Sequence, residues 1–137
     1  MILGIGTDIV NISRIEDLLN KHDQKFMDRC FTKLEQEKAT SRPTDKERIA
    51  QLAKLWASKE AFAKALGTGF RDGLYLKDIE VINDEFGKPF LELYSSAQDI
   101  LDSKTAEGYN AYIHLSISDD YPFAVASVVI ELEKEEI

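Results

Sequence analysis

Apolar residues and glycine fill positions 1–6, a pattern that fits a buried strand leading to Thr7 and Asp8. Ser13 can cap a helix whose Ile15, Leu18 and Leu19 fall on one side. A second short helical segment is expected over residues 23–31. Thr32 and Glu35 have capping-box spacing, in which hydroxyl and carboxylate each satisfy a free N–H at a helix start. Pro43 ends that helix, because proline lacks the N–H and clashes with the preceding turn. The longest helical pattern runs from Thr44 or Asp45 to Leu66. It is rich in Ala, Leu, Lys and Glu and free of Gly and Pro until Gly67-Thr68-Gly69 closes it.

The second half changes character. Residues 79–82 and 90–94 read as strands around a turn at Glu85-Phe86-Gly87-Lys88. Ser95 or Ser96 caps a short helix through Leu101. Two more strands follow, 109–118 and 123–132, joined by Asp119-Asp120-Tyr121-Pro122, and the charged residues 131–136 read as a frayed end. Helices come early and strands late, so the expected class is α+β, with one long helix packed on a small, mainly antiparallel sheet. The 137 residues fit a single domain spanning 1–137.

Composition narrows the function classes. The net charge of −8 argues against a nucleic-acid binder, which needs surplus Lys and Arg to neutralise phosphates. No apolar run approaches the ~20 residues of a membrane span. No basic segment precedes the apolar start, so it does not read as a signal peptide, and a cytoplasmic location is expected. The single cysteine, Cys30, cannot form an internal disulfide and reads as a buried structural thiol.

The long helix carries the most informative pattern. Ile49, Leu52, Ala53 and Trp56 form one stripe, and its continuation is Glu60, Ala63 and Lys64. Glu60 and Lys64, four residues apart, either pair with each other on a solvated end or meet a ligand. Gly67-Thr68-Gly69 beside Lys64 would suit an anion, although a helix C-terminus disfavours one. Asp8 is either a turn residue capping the next helix or a metal ligand. With Glu60 it would supply two hard oxygens, as Mg²⁺ prefers, the other positions going to water and phosphate. In the strand 109–118, Tyr109, Ala111, Ile113, Leu115 and Ile117 share one face. Asn110, Tyr112, His114, Ser116 and Ser118 share the other. His114 reads as structural and His22 as solvated.

Four segments carry a family resemblance: GIGTDIVNISRIE at 4–16, WASKEAFAKALGTG at 56–69, DIEVINDEFGKP at 78–89 and HLSISDDYPFAVASVVIE at 114–131. Together the sequence resembles the holo-acyl-carrier-protein synthase family, the small class of 4′-phosphopantetheinyl transferases that uses coenzyme A. The resemblance implies the 4′-phosphopantetheinyl transferase-like fold. It implies transfer of the phosphopantetheine arm of coenzyme A to a serine of apo acyl carrier protein, in support of fatty acid biosynthesis. It implies Mg²⁺ on Asp8 and Glu60, and Lys64 against the pyrophosphate. Gly67, Thr68 and Gly69 correspond to the loop against the nucleotide, and Arg14 to a basic position that meets the carrier. A homotrimer with active sites shared between protomers is also implied. The base for the serine stays open between Glu60, a metal-bound water and a carboxylate of the carrier.

Two positions depart from the family pattern. Asp119 follows Ser116-Ile117-Ser118 where relatives carry His, and Leu55, beside Lys54, stands where Arg is common. Ser116 and Asp119 remain candidate coenzyme A contacts, and Asp119 motivates an alternative: a module that binds coenzyme A or the carrier but has lost transfer. A third reading is an acidic structural oligomer. The charge is unevenly distributed. Residues 1–70 hold 12 Lys and Arg against 10 Asp and Glu; residues 71–137 hold 5 against 15. Arg14, Lys21, Lys25 and Arg29 cluster in the early helices, where an acidic carrier protein can dock.

Overall fold

Small residues on two facing elements set the architecture. The computed structural model describes residues 1–71 and 73–136. Strand β1 (Ile2–Asn11) turns Gly4, Gly6, Asp8 and Val10 inward. Helix α4 (Asp45–Leu66) presents Ala57, Ala61 and Ala65 among its buried residues. A Cβ built on Gly4 would lie 1.8 Å from the carbonyl oxygen of Ala65, and one on Gly6 would lie 1.9 Å from that of Ala61. Backbone therefore packs on backbone, at a distance that no other residue type permits.

β1 pairs antiparallel with β5 (Phe123–Lys134), which pairs antiparallel with β4 (Tyr109–Asp120), giving a three-stranded sheet in the order β1-β5-β4. Ala124, Ala126, Val128 and Ile130 of β5 are fully buried. A second, two-stranded sheet joins β2 (Ile79–Asn83) to β3 (Pro89–Leu93). Helices α1 (Ile12–His22), α2 (Gln24–Cys30) and α3 (Lys33–Thr40) pack ahead of α4, and α5 (Ser95–Lys104) joins the two sheets. The α+β class, the long helix and the antiparallel pairing are as expected.

Several local expectations are corrected. β1 runs on through Asp8 to Asn11, so Asp8 is an inward-facing strand residue and caps nothing. Asn11, not Ser13, caps α1: its Oδ1 accepts from the Ser13 N–H at 3.0 Å. Neither Ser95 nor Ser96 caps α5 with its side chain. The Asp78 carboxylate accepts from the Ser96 N–H at 3.1 Å, and the helix continues to Lys104. The charged end is paired rather than frayed, since β5 extends to Lys134 opposite Tyr109. The capping box of Thr32 and Glu35 forms as read.

The stripe on α4 also needs revision. Ile49, Trp56 and Glu60 are only half-buried and Lys64 is exposed, while Leu55, Lys59, Phe62 and Leu66 are buried. The helix is enclosed on most sides: Leu52, Ala53 and Ala63 of the stripe are buried as expected, and Ile49, Trp56, Glu60 and Lys64 form its rim. Cys30 is 3% exposed, and burial raises its thiol pKa to about 11, as expected of a structural cysteine.

The close approach yields a prediction. Gly6→Ala should lower unfolding stability by about 3 kcal/mol, because the strand must move off the helix backbone. Gly67→Ala, at φ 84 with nothing within 4 Å, should lose only about 1 kcal/mol. Urea denaturation of both variants measures the contrast.

Candidate active site

The inward face of β1 delivers Asp8 to the rim of α4. Its Oδ1 accepts a hydrogen bond from Lys64 Nζ at 3.0 Å, and the same ammonium donates to the Thr7 carbonyl at 3.0 Å. Lys64 thus pairs with Asp8 across the strand–helix junction, rather than with Glu60 along its own helix. Asp8 Oδ2 is buried and has no hydrogen-bond partner. Glu60 lies close enough for the Asp8 charge to act on it. Burial raises the Glu60 pKa above the usual carboxylate range and the charge of Asp8 adds to the rise, while Lys64 and Arg14 oppose it.

A buried carboxylate oxygen without a donor is costly unless something binds it. Two carboxylates and an orphaned oxygen fit a divalent cation whose remaining positions are filled from outside the chain. Among the described residues no group of three or more His, Cys, Asp or Glu could hold a metal ion by itself. Asp8 and Glu60 could supply two of its ligands, the rest coming from water or substrate.

The glycine loop is a different matter. Gly67 and Gly69 have positive φ, 84° and 58°, which lets the chain reverse at the helix end. Their N–H groups donate back to the helix carbonyls of Lys64 at 3.0 Å and Ala63 at 3.2 Å. The two glycine donors that a phosphate cradle would use are thus committed to closing the helix. Thr68 Oγ1 donates to the Gly69 carbonyl at 2.8 Å.

Ser116 and Asp119 are not brought together. Alternation along β4 puts Asp119 on the inner face with Leu115 and Ile117, and Ser116 on the outer face with His114. Asp119 Oδ1 lies 3.6 Å from Lys54 Nζ, in a hollow that Arg42, Gln51 and Asn83 also line. Lys54 and Glu60, six residues apart on α4, point about 120° apart around its axis. The Asp119 hollow therefore opens on a different side of the helix from Asp8 and Glu60. His114 bonds Glu131 at 3.0 Å on the outer sheet face, and His22 is exposed.

Arg14, Lys21 and Lys25 are exposed on α1 and α2. Lys25, His22 and Arg29 border a hollow floored by Leu18 and Phe26. Arg14 sits 5.1 Å above the Trp56 ring, close enough to Glu60 to lower its proton affinity. The basic face thus begins at the rim that carries Glu60.

This chain matches the 4′-phosphopantetheinyl transferase superfamily over residues 4–126, a span that includes Asp8, Glu60, Lys64, Ser116 and Asp119. It is 47% identical, over 96% of each sequence, to the holo-[acyl-carrier-protein] synthase of Brucella ovis. The chain belongs to the 4′-phosphopantetheinyl transferase superfamily. Solved superfamily structures agree with the fold. The holo-(acyl-carrier-protein) synthase of Bacillus anthracis, in complex with CoA (3′,5′-ADP), is 38% identical with a TM-score of 0.75, covering 95% of this chain and 96% of its own. The Neisseria meningitidis synthase is 36% identical with a TM-score of 0.81, covering 96% and 99%.

Within this superfamily member, sequence reasoning passed over Lys59 and Glu35, both wholly buried and bonded to each other. Lys59 interrupts the apolar series Leu55, Phe62 and Leu66 at helical spacing, which was the available signal. The capping box accounts for only part of the bonding of Glu35, which also meets Lys59 and the Val81 N–H. The Asp119–Lys54 pair was not legible either, because it spans two elements.

Glu60 gives the site a pH signature. Its protonated form is favoured more in the folded state than in the unfolded chain. Its contribution to stability is therefore complete below the ordinary pKa and is lost as pH rises through the raised one. Without divalent metal, Glu60→Gln should match the parent near pH ~4 and melt higher near pH ~7. Thermal unfolding across that range checks the sign.

Proposed function

We propose that this chain transfers the 4′-phosphopantetheine arm of coenzyme A to a serine hydroxyl of apo acyl carrier protein, in support of fatty acid biosynthesis. Holo carrier and adenosine 3′,5′-bisphosphate are the products, and residues 1–137 act as one transferase domain. The carrying observation is the orphaned Asp8 Oδ2, with Lys64 reaching across to Asp8 and Glu60 within reach of its charge. Superfamily membership supplies the reaction class, and a relative solved in complex with CoA supports the donor.

In this reading Asp8 and Glu60 hold Mg²⁺. When bound, that ion supplies neutralisation of pyrophosphate charge and alignment of the reacting oxygens. The serine oxygen bonds to the phosphorus that bears the pantetheine arm while its proton passes to a base, which stays open between Glu60, water at the cation site and a carboxylate of the carrier. The bond from that phosphorus to the bridging oxygen breaks, and the nucleotide leaves with the electron pair. Lys64 stabilises the charge that gathers on the leaving phosphate. Gly67, Thr68 and Gly69 shape the wall beside the nucleotide. Their glycine N–H groups close the helix, so Lys64 and the metal pair carry the anion recognition.

Ser116 meets the donor from the outer face of β4, and Asp119 with the Arg42–Lys54 hollow from another side of α4. One ligand meets both sets when a neighbouring protomer supplies the second, which supports a homotrimer with shared sites. The outer sheet face supports the same arrangement: Ile5 and Ile9 are 66% and 64% exposed, next to partly exposed Val125 and Val129. Arg14, Lys21 and Lys25 dock the acidic carrier. No helix of the described residues is long and apolar enough to cross a membrane, and the proposed location is the cytoplasm.

Incubation with coenzyme A, Mg²⁺ and apo carrier, followed by mass measurement of the carrier, tests the reaction. A gain of one phosphopantetheine is expected, and chelation of the metal should abolish it. Binding of coenzyme A without mass gain would favour a module that lacks transfer. Lys64→Met should lower kcat/KM about 100-fold. A second prediction concerns docking. Raising salt from 50 to 300 mM should raise KM for the carrier severalfold and leave KM for coenzyme A less affected. Arg14→Ala with Lys25→Ala should flatten that dependence.

A further inference from the structure

Lys59 and Glu35 form an ion pair sealed from solvent. Both side chains are 0% exposed, and Lys59 Nζ lies 2.6 Å from Glu35 Oε1. All three N–H groups of the ammonium are used, because Nζ also donates to the carbonyls of Leu76 at 3.0 Å and Ile79 at 2.6 Å. Glu35 is equally committed. Its Oε1 also accepts from the Thr32 N–H and its Oε2 from the Val81 N–H, each at 2.9 Å. One side chain of α4 therefore ties that helix to the start of α3, to the 3₁₀ turn at Leu76–Asp78 and to β2.

Burial pulls the Lys59 ammonium below its ordinary pKa, and Glu35 opposes that shift. An apolar side chain would fill the same space without taking charge out of water, so stability alone does not account for the pair. Hydrogen bonds differ from apolar contacts in having direction. Successive helix residues step by about 100°, so Lys59 and Ala61 flank Glu60 at equal angles. On the Ala61 side, β1 seats Gly6 against the Ala61 carbonyl. On the Lys59 side, the buried network holds the helix. Glu60 lies between the two grips.

We propose that the Lys59–Glu35 pair is a positioning device for Glu60, fixing the rotation of α4 so that this carboxylate meets Asp8 at the cation site. Lys59 itself touches no reacting group. The inference rests on Asp8 and Glu60 being the metal pair.

The test compares Lys59→Met/Glu35→Gln, which removes both charges and keeps the volume, with Leu101→Ala, a core truncation in α5. Each protein is titrated with Mn²⁺, and free ion is counted by electron paramagnetic resonance alongside thermal unfolding. The double variant is expected to fold and to bind Mn²⁺ at least about tenfold more weakly. The Mg²⁺ needed for half-maximal transfer should rise in parallel, with kcat recovering when Mg²⁺ is in excess. Leu101→Ala should melt earlier with unchanged Mn²⁺ affinity. Glu35→Asp keeps the charge and shortens the reach. It should show an intermediate loss, and it decides the matter if the double variant does not fold. Parental Mn²⁺ affinity in the folded tether variant overturns the proposal, and so does an equal loss in Leu101→Ala. A parent protein that binds no Mn²⁺ overturns the metal pair itself, and this inference with it.

Discussion

The contact between the backbones of β1 and α4 is the constraint on which the rest of the molecule depends. Gly4 and Gly6 leave no side chain between strand and helix, and Ala61 and Ala65 receive them. That proximity is what allows Asp8, two residues beyond Gly6, to share a hydrogen bond with Lys64, one residue before Ala65. A larger residue at either glycine would add an atom's thickness to the interface and open the carboxylate pair. The proposed chemistry is thus built on the absence of side chains, with the candidate residues at the edge of the gap.

Much of this was legible in the sequence because it follows local rules. The 22-residue α4, its stop at Gly67, the Thr32–Glu35 box and the alternation of β4 all appear where the pattern puts them. The caps that failed share a cause. Ser13, Ser95 and Ser96 have the right chemistry, but each lies inside the first turn of its helix, and Asn11 and Asp78 accept from the N–H groups of Ser13 and Ser96. The candidate site was legible as a list of residues and not as pairs. Lys64 has Glu60 one turn away in sequence, yet its carboxylate partner lies 56 positions earlier on another element. Lys59 was hidden for the same reason, since Glu35, Leu76 and Ile79 are all distant in the chain.

Charge is sorted at two scales. Over the whole chain the acidic excess belongs to residues 71–137, while on the early helices Arg14, Lys21, Lys25 and Arg29 are matched in number by Glu16, Asp17, Asp23 and Asp28. At the site, Lys64 already sits on Asp8, so the centre is largely neutralised from within.

The placement of Cys30 has a further consequence. The proposed donor and the proposed product both end in a free thiol. An exposed cysteine in such an enzyme would be open to mixed-disulfide formation with its own substrates. Here the sole cysteine is enclosed by the core with its pKa raised to about 11, so almost none is thiolate at neutral pH. The protein is chemically silent toward the sulfur it carries, and oxidised donor in the surroundings has no thiolate on the enzyme with which to exchange.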